Sequence, residues 1–392
     1  MSGLVWPIVY RVTTADGYYY CKDKRERVYF TPEIKELSSQ RKVTDVVLRL
    51  GVWLAIIGGL GNRKASWMLE VLFGVQASKS SIARWVEEVA DNLPTNEEMV
   101  RLLNQNKEIT EGHFDEIFPS GSKACVLVLK DEHGRIISAK EVSSREEEQV
   151  KPYLEWVKGL GIKIKTFYID HCQSYFNSIE AVYPEAEIQH DYFHILQNIW
   201  RHVMDEYRKH RREIKKQAEA SESEGHARRL KNLATRLWKE RYLFFKSEEN
   251  MTEEELSKVL SIINSDNEVC FIRGFLQKVR SIFTESETEE DARAALLELK
   301  KYSAKEPKKS GFGKAVSFLE ANFTNMITFL RVPGVKRNSL AESGMRVLRR
   351  LEQTHDGFRT DKGRQDALKI YQAVMYLGWS IHDPPKFTLD SR

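Results

Sequence analysis

The stretch that most constrains the fold is residues 162–194, where a short apolar run ends abruptly on Asp170. The run is rich in large and β-branched apolar residues, which is typical of a buried strand. A carboxylate at the carboxyl end of a buried strand lies where α/β sheets place their chemistry. The alternative is that Asp170 caps the helix that follows, since Asp is a favoured N-cap residue. This stretch alone does not decide between the two.

A helix and a second strand are predicted directly after Asp170. Tyr175, Ile179 and Val182 recur at helical spacing, and Pro184 stops the pattern. A short strand over 186–190 is followed by an Asp-x-x-His element that runs from Asp191 to His194. The order of these elements indicates an α/β fold class.

The preceding residues predict the rest of a sheet. A strand over 109–117 carries Asp115 and Glu116 near its end, a hairpin follows over 124–142, and a helix covers about 145–158. Strand, hairpin, helix, strand, helix is the order of an RNase H-like core. There the first strand is central and lies beside the strand of the crossover unit, so Asp115 and Asp170 could approach each other.

The length of 392 residues predicts several domains. We expect a small β-rich N-terminal piece, a helix-turn-helix-like helical domain, the first part of the core, a helical insertion, and the C-terminal helices of the core with a tail. Their predicted boundaries are 1–42, 43–106, 107–194, 195–320 and 321–392.

Residues 43–93 show three helical patterns separated by glycines and a serine-rich cap. Two short helices joined by a brief turn are typical of a helix-turn-helix. The third helix would then present four polar or basic side chains to a DNA groove: Lys79, Ser80, Ser81 and Arg84. An ordinary three-helix bundle with Trp85 and Val86 in its core explains the same pattern.

The region from 192 to about 320 is predicted to be almost wholly helical. Two basic runs, within 208–216 and 228–241, are interleaved with aromatic residues including Trp238 and Tyr242. Basic and aromatic residues in alternation suit a surface that follows a nucleic-acid backbone, although charge runs on helices are usually solvated faces. Residues 305–313 predict a flexible joint.

Composition excludes other classes of protein. Net charge is only +4, so a basic surface must be local, and four widely separated cysteines argue against a disulfide scaffold. The sequence shows no signal peptide, and its most apolar segment, 46–60, is too short to span a bilayer. We expect a soluble, cytoplasmic protein that associates with the nucleoid.

A third carboxylate, Glu342, lies in the first turn of a helix capped by Asn338 or Ser339, where the helix dipole also favours an acidic residue. Three carboxylates brought together by a fold can hold two divalent cations about 3.5–4 Å apart. Oxygen ligands suit hard cations, magnesium or manganese. Glu342 follows Asp170 by too many residues for a bare RNase H-like core, which fits a helical insertion.

The sequence resembles DDE transposases of prokaryotic insertion sequences over roughly residues 40–380. The resemblance is carried by six short segments: His113-Phe114-Asp115-Glu116, Tyr168-Ile169-Asp170 with Tyr175, Tyr183-Pro184-Glu185-Ala186, His190-Asp191-Tyr192-Phe193-His194, Asn338-Ser339-Leu340-Ala341-Glu342-Ser343 and Gly357-Phe358. Members often begin with a cysteine-paired zinc ribbon, whereas here Cys21 stands alone, which argues against zinc at that place.

The resemblance implies a polynucleotidyl transferase with two Mg²⁺ or Mn²⁺ ions. Asp115, Asp170 and Glu342 would be the catalytic metal ligands, while Asp191 and His194 would support the site. The partners implied are transposon-end duplex DNA and target DNA, with at least a homodimer pairing two ends. The phosphate contacts near the cut would be Arg346, Arg349 and Arg350. The alternatives are an inactive, transposase-derived DNA-binding regulator and another RNase H-like nuclease.

Overall fold

The computed structural model describes residues 17–21, 26–30, 45–118, 124–337, 339, 346–351 and 360–379. They form two compact units. The first is drawn from 1–110, 115–163 and 341–392, and the second from 111–114 and 164–340. The chain is of the mixed α/β class and mostly helical.

The first unit contains a hairpin and a helical core. Strand β1 (Gly17–Cys21) pairs antiparallel with β2 (Glu26–Phe30), and the rest of the predicted β-rich piece over 1–42 lies outside the described residues. The helices include α14 over residues 346–351. The others are α1 (Asp45–Ile56), α2 (Gly61–Phe73), α3 (Lys79–Asp91), α4 (Asn96–Asn106) and α15 (Asp361–Leu377).

Local sequence explains where these helices begin and end. Gly74 adopts the left-handed conformation that ends α2, with φ of 64°. A capping box of Thr95 and Glu98 begins α4. Apolar residues from α1 and α3, such as Val52 and Ile82, share one buried cluster with Leu368 of α15. This core keeps α1–α3 packed as a unit.

One five-stranded sheet has the order β5-β4-β3-β6-β7. The strands are β3 (Glu111–Ile117), β4 (Cys125–Lys130), β5 (Ile136–Val142), β6 (Thr166–Ile169) and β7 (Glu187–His190). Strands β4 and β5 form the predicted antiparallel hairpin, while β3–β6 and β6–β7 are parallel. Helix α5 (Glu147–Gly159) precedes β6, and α6 (Gln173–Val182) connects β6 to β7. Every residue of β6 is buried, as its apolar sequence predicts.

Helices make up the rest of the second unit. They are α7 (Tyr192–Ala220), α8 (Glu224–Lys239), α9 (Glu253–Ile263), α10 (Asn267–Thr284), α11 (Glu289–Tyr302), α12 (Gly311–Met326) and α13 (Thr328–Arg331). Their apolar faces meet in one cluster that includes Tyr207, Phe244, Phe275 and Leu319. None of the helices in the described part of the chain is long and apolar enough to cross a membrane.

The predicted flexible joint at 305–313 is wrong in its last residues, where a helix has already begun. Helix α12 already begins at Gly311, with Ser310 as its N-cap, and Phe312 is buried. The Gly311 amide donates to the Glu206 carboxylate at 2.6 Å. Glycine is needed here because a Cβ would overlap the carbonyl oxygen of His202. Gly311 therefore serves close packing of α12 on α7.

Candidate active site

Asp170 immediately follows β6 and does not cap the next helix. Helix α6 has Cys172 at its N-cap position, without a side-chain cap hydrogen bond. The Asp170 carboxylate instead lies 3.0 Å from Nε2 of His194, and both side chains remain partly exposed. The helix-cap explanation is therefore wrong, and Asp170 is an accessible carboxylate with an imidazole partner.

Asp191, at the end of β7, joins three segments of the second unit. Its carboxylate accepts hydrogen bonds from the amides of Phe193 at 2.7 Å, which caps α7, and of Ser339 at 3.1 Å. The residue is 8% exposed, and burial raises the pKa of its carboxyl group above the ordinary value. Ser339 precedes Glu342 by three positions, and Glu342 itself lies outside the described residues.

A second attachment holds the segment before Ser339 against the sheet. The Tyr168 hydroxyl accepts a hydrogen bond from the Lys336 amide at 2.8 Å, and Nδ1 of His113 lies 3.1 Å from the Ser339 hydroxyl. The His113 and Tyr168 rings stack with centroids 4.3 Å apart. Burial raises the pKa of Tyr168 to about 12, so the phenol is neutral. The residues leading to Glu342 are thus fixed to β3, β6 and the start of α7.

Sequence reasoning did not single out the roles of His113, Tyr168 and His190. The last is 3% exposed at the end of β7, and burial lowers its pKa to about 4. A neutral His190 adds no positive charge beside Asp170. The available signal was a polar ring within a short predicted strand, which by itself indicates neither burial nor a particular partner.

Asp115 follows Phe114 on β3, just as Asp170 follows Ile169 on β6. Phe114 and Ile169 are partners in the parallel register of these strands. The Asp115 carboxylate accepts a hydrogen bond from the Glu116 amide at 2.8 Å. Glu116 itself is ion-paired with Arg145 at 2.9 Å. Glu116 is therefore committed to a different partner, and Asp115 is the better candidate ligand of the two.

The predicted DNA-binding side chains fall on two helices of the first unit. On α3, Lys79, Ser80 and Arg84 are exposed, whereas Ser81 is tied to the Ser78 cap through its amide and hydroxyl, both at 3.0 Å. On α14, Arg346 and Arg349 are exposed. Arg350 donates to the Gly58 carbonyl at 3.1 Å, so part of its role is structural. Trp85 and Val86 pack partly against the apolar cluster of this unit, as the bundle alternative expects.

The chemistry of the donors fits a hard divalent cation. Asp115 and Asp170 offer carboxylate oxygens at strand ends, and neither is fully buried. Among the described residues there is no group of three or more His, Cys, Asp and Glu that could hold a metal ion. Glu342, the predicted third ligand, lies outside the described residues.

Comparison with protein families gives one match. The model of the ISL3-type DDE family, described as transposase, matches residues 113–362, which is more than half of the chain. The matched range contains Asp115, Asp170, Asp191, His194 and Glu342. No curated protein matches the chain by sequence.

Proposed function

Because the chain belongs to the ISL3-type DDE transposases, we propose that it cleaves DNA strands at the ends of an insertion sequence and transfers them to a target. Asp115, Asp170 and Glu342 carry this chemistry. The observation that supports it most directly is the register of β3 against β6, one residue before the first two carboxylates.

Adjacent strands of a sheet lie about 4.8 Å apart, and residues paired across parallel strands point to the same face. Phe114 pairs with Ile169, and Asp115 and Asp170 are the next residues along the chain after this pair. Carboxylates so placed suit ligands of a shared cation.

The strand order supports an RNase H-like core. The antiparallel β4–β5 hairpin lies on one side of the central β3, and the parallel β6 and β7 lie on the other. The helices from α7 to α12 separate β7 from the segment that carries Glu342, which fits an insertion within that core. The predicted domain boundaries follow the same interpretation.

Two Mg²⁺ or Mn²⁺ ions would be held by the carboxylates of Asp115, Asp170 and Glu342. Bound metals of this kind activate the attacking oxygen and stabilise the leaving oxygen of a phosphodiester. His194 positions the Asp170 carboxylate through their 3.0 Å contact. Asp191 anchors the Ser339 amide and so fixes the start of the segment that leads to Glu342.

Recognition of the DNA ends would fall to the helix-turn-helix-like region. Exposed Lys79, Ser80 and Arg84 would contact the terminal repeat, while Arg346 and Arg349 would contact phosphates near the cut. Two ends must be paired for transposition, so we propose at least a homodimer on DNA.

The test is strand cleavage of duplexes that carry the inverted repeats flanking the gene, with Mg²⁺ present. Asp170→Asn should abolish cleavage and leave binding of the repeat largely intact, and Asp115→Asn should do the same. The matched control is Glu180→Gln, an exposed carboxylate on α6, which should cleave like the native chain. Undiminished cleavage by Asp170→Asn would rule out the assignment. Specific binding without cleavage by the native chain would favour the regulator.

A further inference from the structure

A cluster of two partly exposed arginines and two exposed aromatic residues lies where α8 ends beside α7. We define this arginine–aromatic cluster as Arg211, Trp238, Arg241 and Tyr242. The Arg241 guanidinium lies 4.1 Å from the centroid of the Trp238 ring and 4.2 Å from that of Tyr242. The Arg211 guanidinium lies 4.8 Å from the Trp238 centroid. Cations and rings therefore alternate on the surface of the second unit.

Both guanidinium groups are held in place by backbone carbonyls. Nε of Arg211 donates to Ala234 at 2.9 Å, and Nη1 of Arg241 donates to Trp238 at 2.5 Å. Neither arginine forms an ion pair with a carboxylate in the described part of the chain. The cluster is thus ordered before any ligand arrives, which lowers the entropic cost of binding.

A purely structural role does not account for the exposure of the rings. Arg241 does help to cap the end of α8 through its hydrogen bond to the Trp238 carbonyl. A cluster that served only to cap the helix would bury its aromatic residues. Trp238 is instead 43% exposed and Tyr242 is 66% exposed. Large exposed aromatic surface next to fixed cations is typical of a binding surface.

Further positive charge extends from the cluster along both helices. Arg208 and Lys215 lie three residues before and four after Arg211, so they share its face of α7. Arg208 is also ion-paired with Asp205 at 3.3 Å, so Lys215 carries most of the added positive charge on this helix. Lys231 lies seven residues before Trp238 on α8, again on the same face. All three side chains are exposed. The surroundings therefore favour an elongated polyanion over a small anionic ligand.

We infer that the arginine–aromatic cluster binds unpaired nucleotides of a DNA strand, with bases stacked on the rings and phosphates paired with the arginines. In a closed duplex the bases already stack on each other, so exposed rings gain contact only with unpaired bases. The flanking cations would follow the backbone of the same strand. This inference rests on DNA being the substrate, as proposed above.

The test compares the affinity of the full chain for a blunt duplex and for the same duplex with an unpaired extension. Trp238→Ala combined with Tyr242→Ala should weaken binding of the extended duplex at least tenfold, or about 1.4 kcal/mol, because the variant loses both rings on which bases would stack. Binding of the blunt duplex should be unchanged. A fluorescent adenine analogue in the extension should be quenched by the native chain and much less by the variant.

Two controls keep the result interpretable. Leu297→Ala removes an exposed apolar side chain on α11 and should change neither affinity. Tyr242→Ala alone, at the most exposed ring, should give a smaller loss of the same selectivity, and it serves if the double variant melts early by circular dichroism. An equal loss on both duplexes, or no loss on the extended one, would overturn the inference.

The outcome is separable from that of the proposed catalysis. Asp170→Asn should keep the native preference for the extended duplex. Continued cleavage by Asp170→Asn with that preference intact would refute the catalytic assignment alone. A native chain that cleaves DNA but shows no preference for unpaired bases would refute the cluster alone.

Discussion

At Asp170, the imidazole of His194 supplies a partner that the local sequence lacks. No Lys or Arg lies next to Asp170 in the chain, and the contact comes from the first turn of α7, after a whole strand–helix–strand unit. A carboxylate held by a hydrogen bond keeps one orientation, which matters when it has to meet a metal ion. His194 should therefore act through Asp170, as a positioning residue.

Replacing His194 tests this role. We expect His194→Ala to lower strand cleavage about 10–100-fold, the usual effect of losing a group that orients a metal ligand. Binding of the terminal repeat should be unchanged. The measurement is single-turnover cleavage over a range of Mg²⁺ concentrations, and the variant should need more Mg²⁺. Glu180→Gln, at the exposed carboxylate on α6, is the control. Native Mg²⁺ dependence in the His194 variant would contradict the role.

Some residues of the candidate site are indicated by local sequence patterns, whereas the contacts of others depend on distant segments of the chain. Asp115 and Asp170 are candidates on local patterns alone, because Asp170 ends an apolar run and Asp115 lies near the end of a predicted strand. The pairing of Asp170 with His194, and of Asp191 with Ser339, could not, because both depend on contacts between distant segments. Burial of His113 and His190 also follows from tertiary packing, which a single sequence does not reveal.

Among the elements, strands and long helices were predictable, and close packing between them was not. Strands β3 to β7 and helices α1 to α3 lie within a few residues of their predicted positions, because alternation, apolar spacing and glycine stops are local signals. The start of α12 was not predicted because glycine occurs both in flexible segments and where two helices approach closely. Only the neighbouring α7 shows that Gly311 allows close approach.

Gly311 offers a test of that packing. Gly311→Ala should lower the free energy of unfolding by about 1–3 kcal/mol, because the new methyl group forces α12 away from the His202 carbonyl. Gly225→Ala on α8, where a Cβ meets open space, should instead raise it by about 0.5 kcal/mol through helix propensity. Urea unfolding of both variants gives the comparison, and equal effects would contradict the packing argument.

Strand β4 carries a second test, at the buried Lys130. Desolvation lowers the pKa of this lysine to about 8 from its ordinary value of 10.5. Between these two pH values the unfolded chain binds more protons than the folded chain, so this residue makes stability rise with pH. The stability gained when Lys130 is uncharged is fully present above about pH 10.5, and it is lost as the pH falls through 8.

Lys130→Met should remove that dependence. We expect the variant to exceed the native chain in stability at pH 7 by up to about 3 kcal/mol, with the difference shrinking towards pH 10. The measurement is denaturant unfolding of both proteins across that range. Lys140→Met, at an exposed lysine on β5, should leave the pH profile unchanged. A stability difference that stays constant with pH would show that Lys130 is not the cause.

For the whole chain, a net charge of +4 hides a strongly uneven distribution. Basic residues gather on α7 and α8, and acidic ones begin α9 and α11, where they also complement the helix dipoles. Global charge therefore says little about affinity for DNA. The salt dependence of binding should report the number of local phosphate contacts instead.

Single substitutions in the full chain should change recognition of the terminal repeat without changing strand cleavage. Arg84 is exposed on α3 next to the buried Ile82, so its replacement leaves the core intact. Arg84→Ala should reduce discrimination between the terminal repeat and a scrambled duplex by about 1–3 kcal/mol if it reads a base. If it contacts a phosphate, affinity should fall equally for both, with the salt slope reduced by about one.

Cleavage at saturating protein should stay native in either case, because Arg84 lies on none of the strands that carry Asp115 or Asp170. The measurements are equilibrium binding of both duplexes at several salt concentrations, followed by cleavage of fully bound DNA. Arg101→Ala, an exposed arginine on α4, is the matched control and should change neither quantity. Native affinity and native salt dependence of Arg84→Ala would remove α3 from the proposed DNA interface and favour the simple helical bundle.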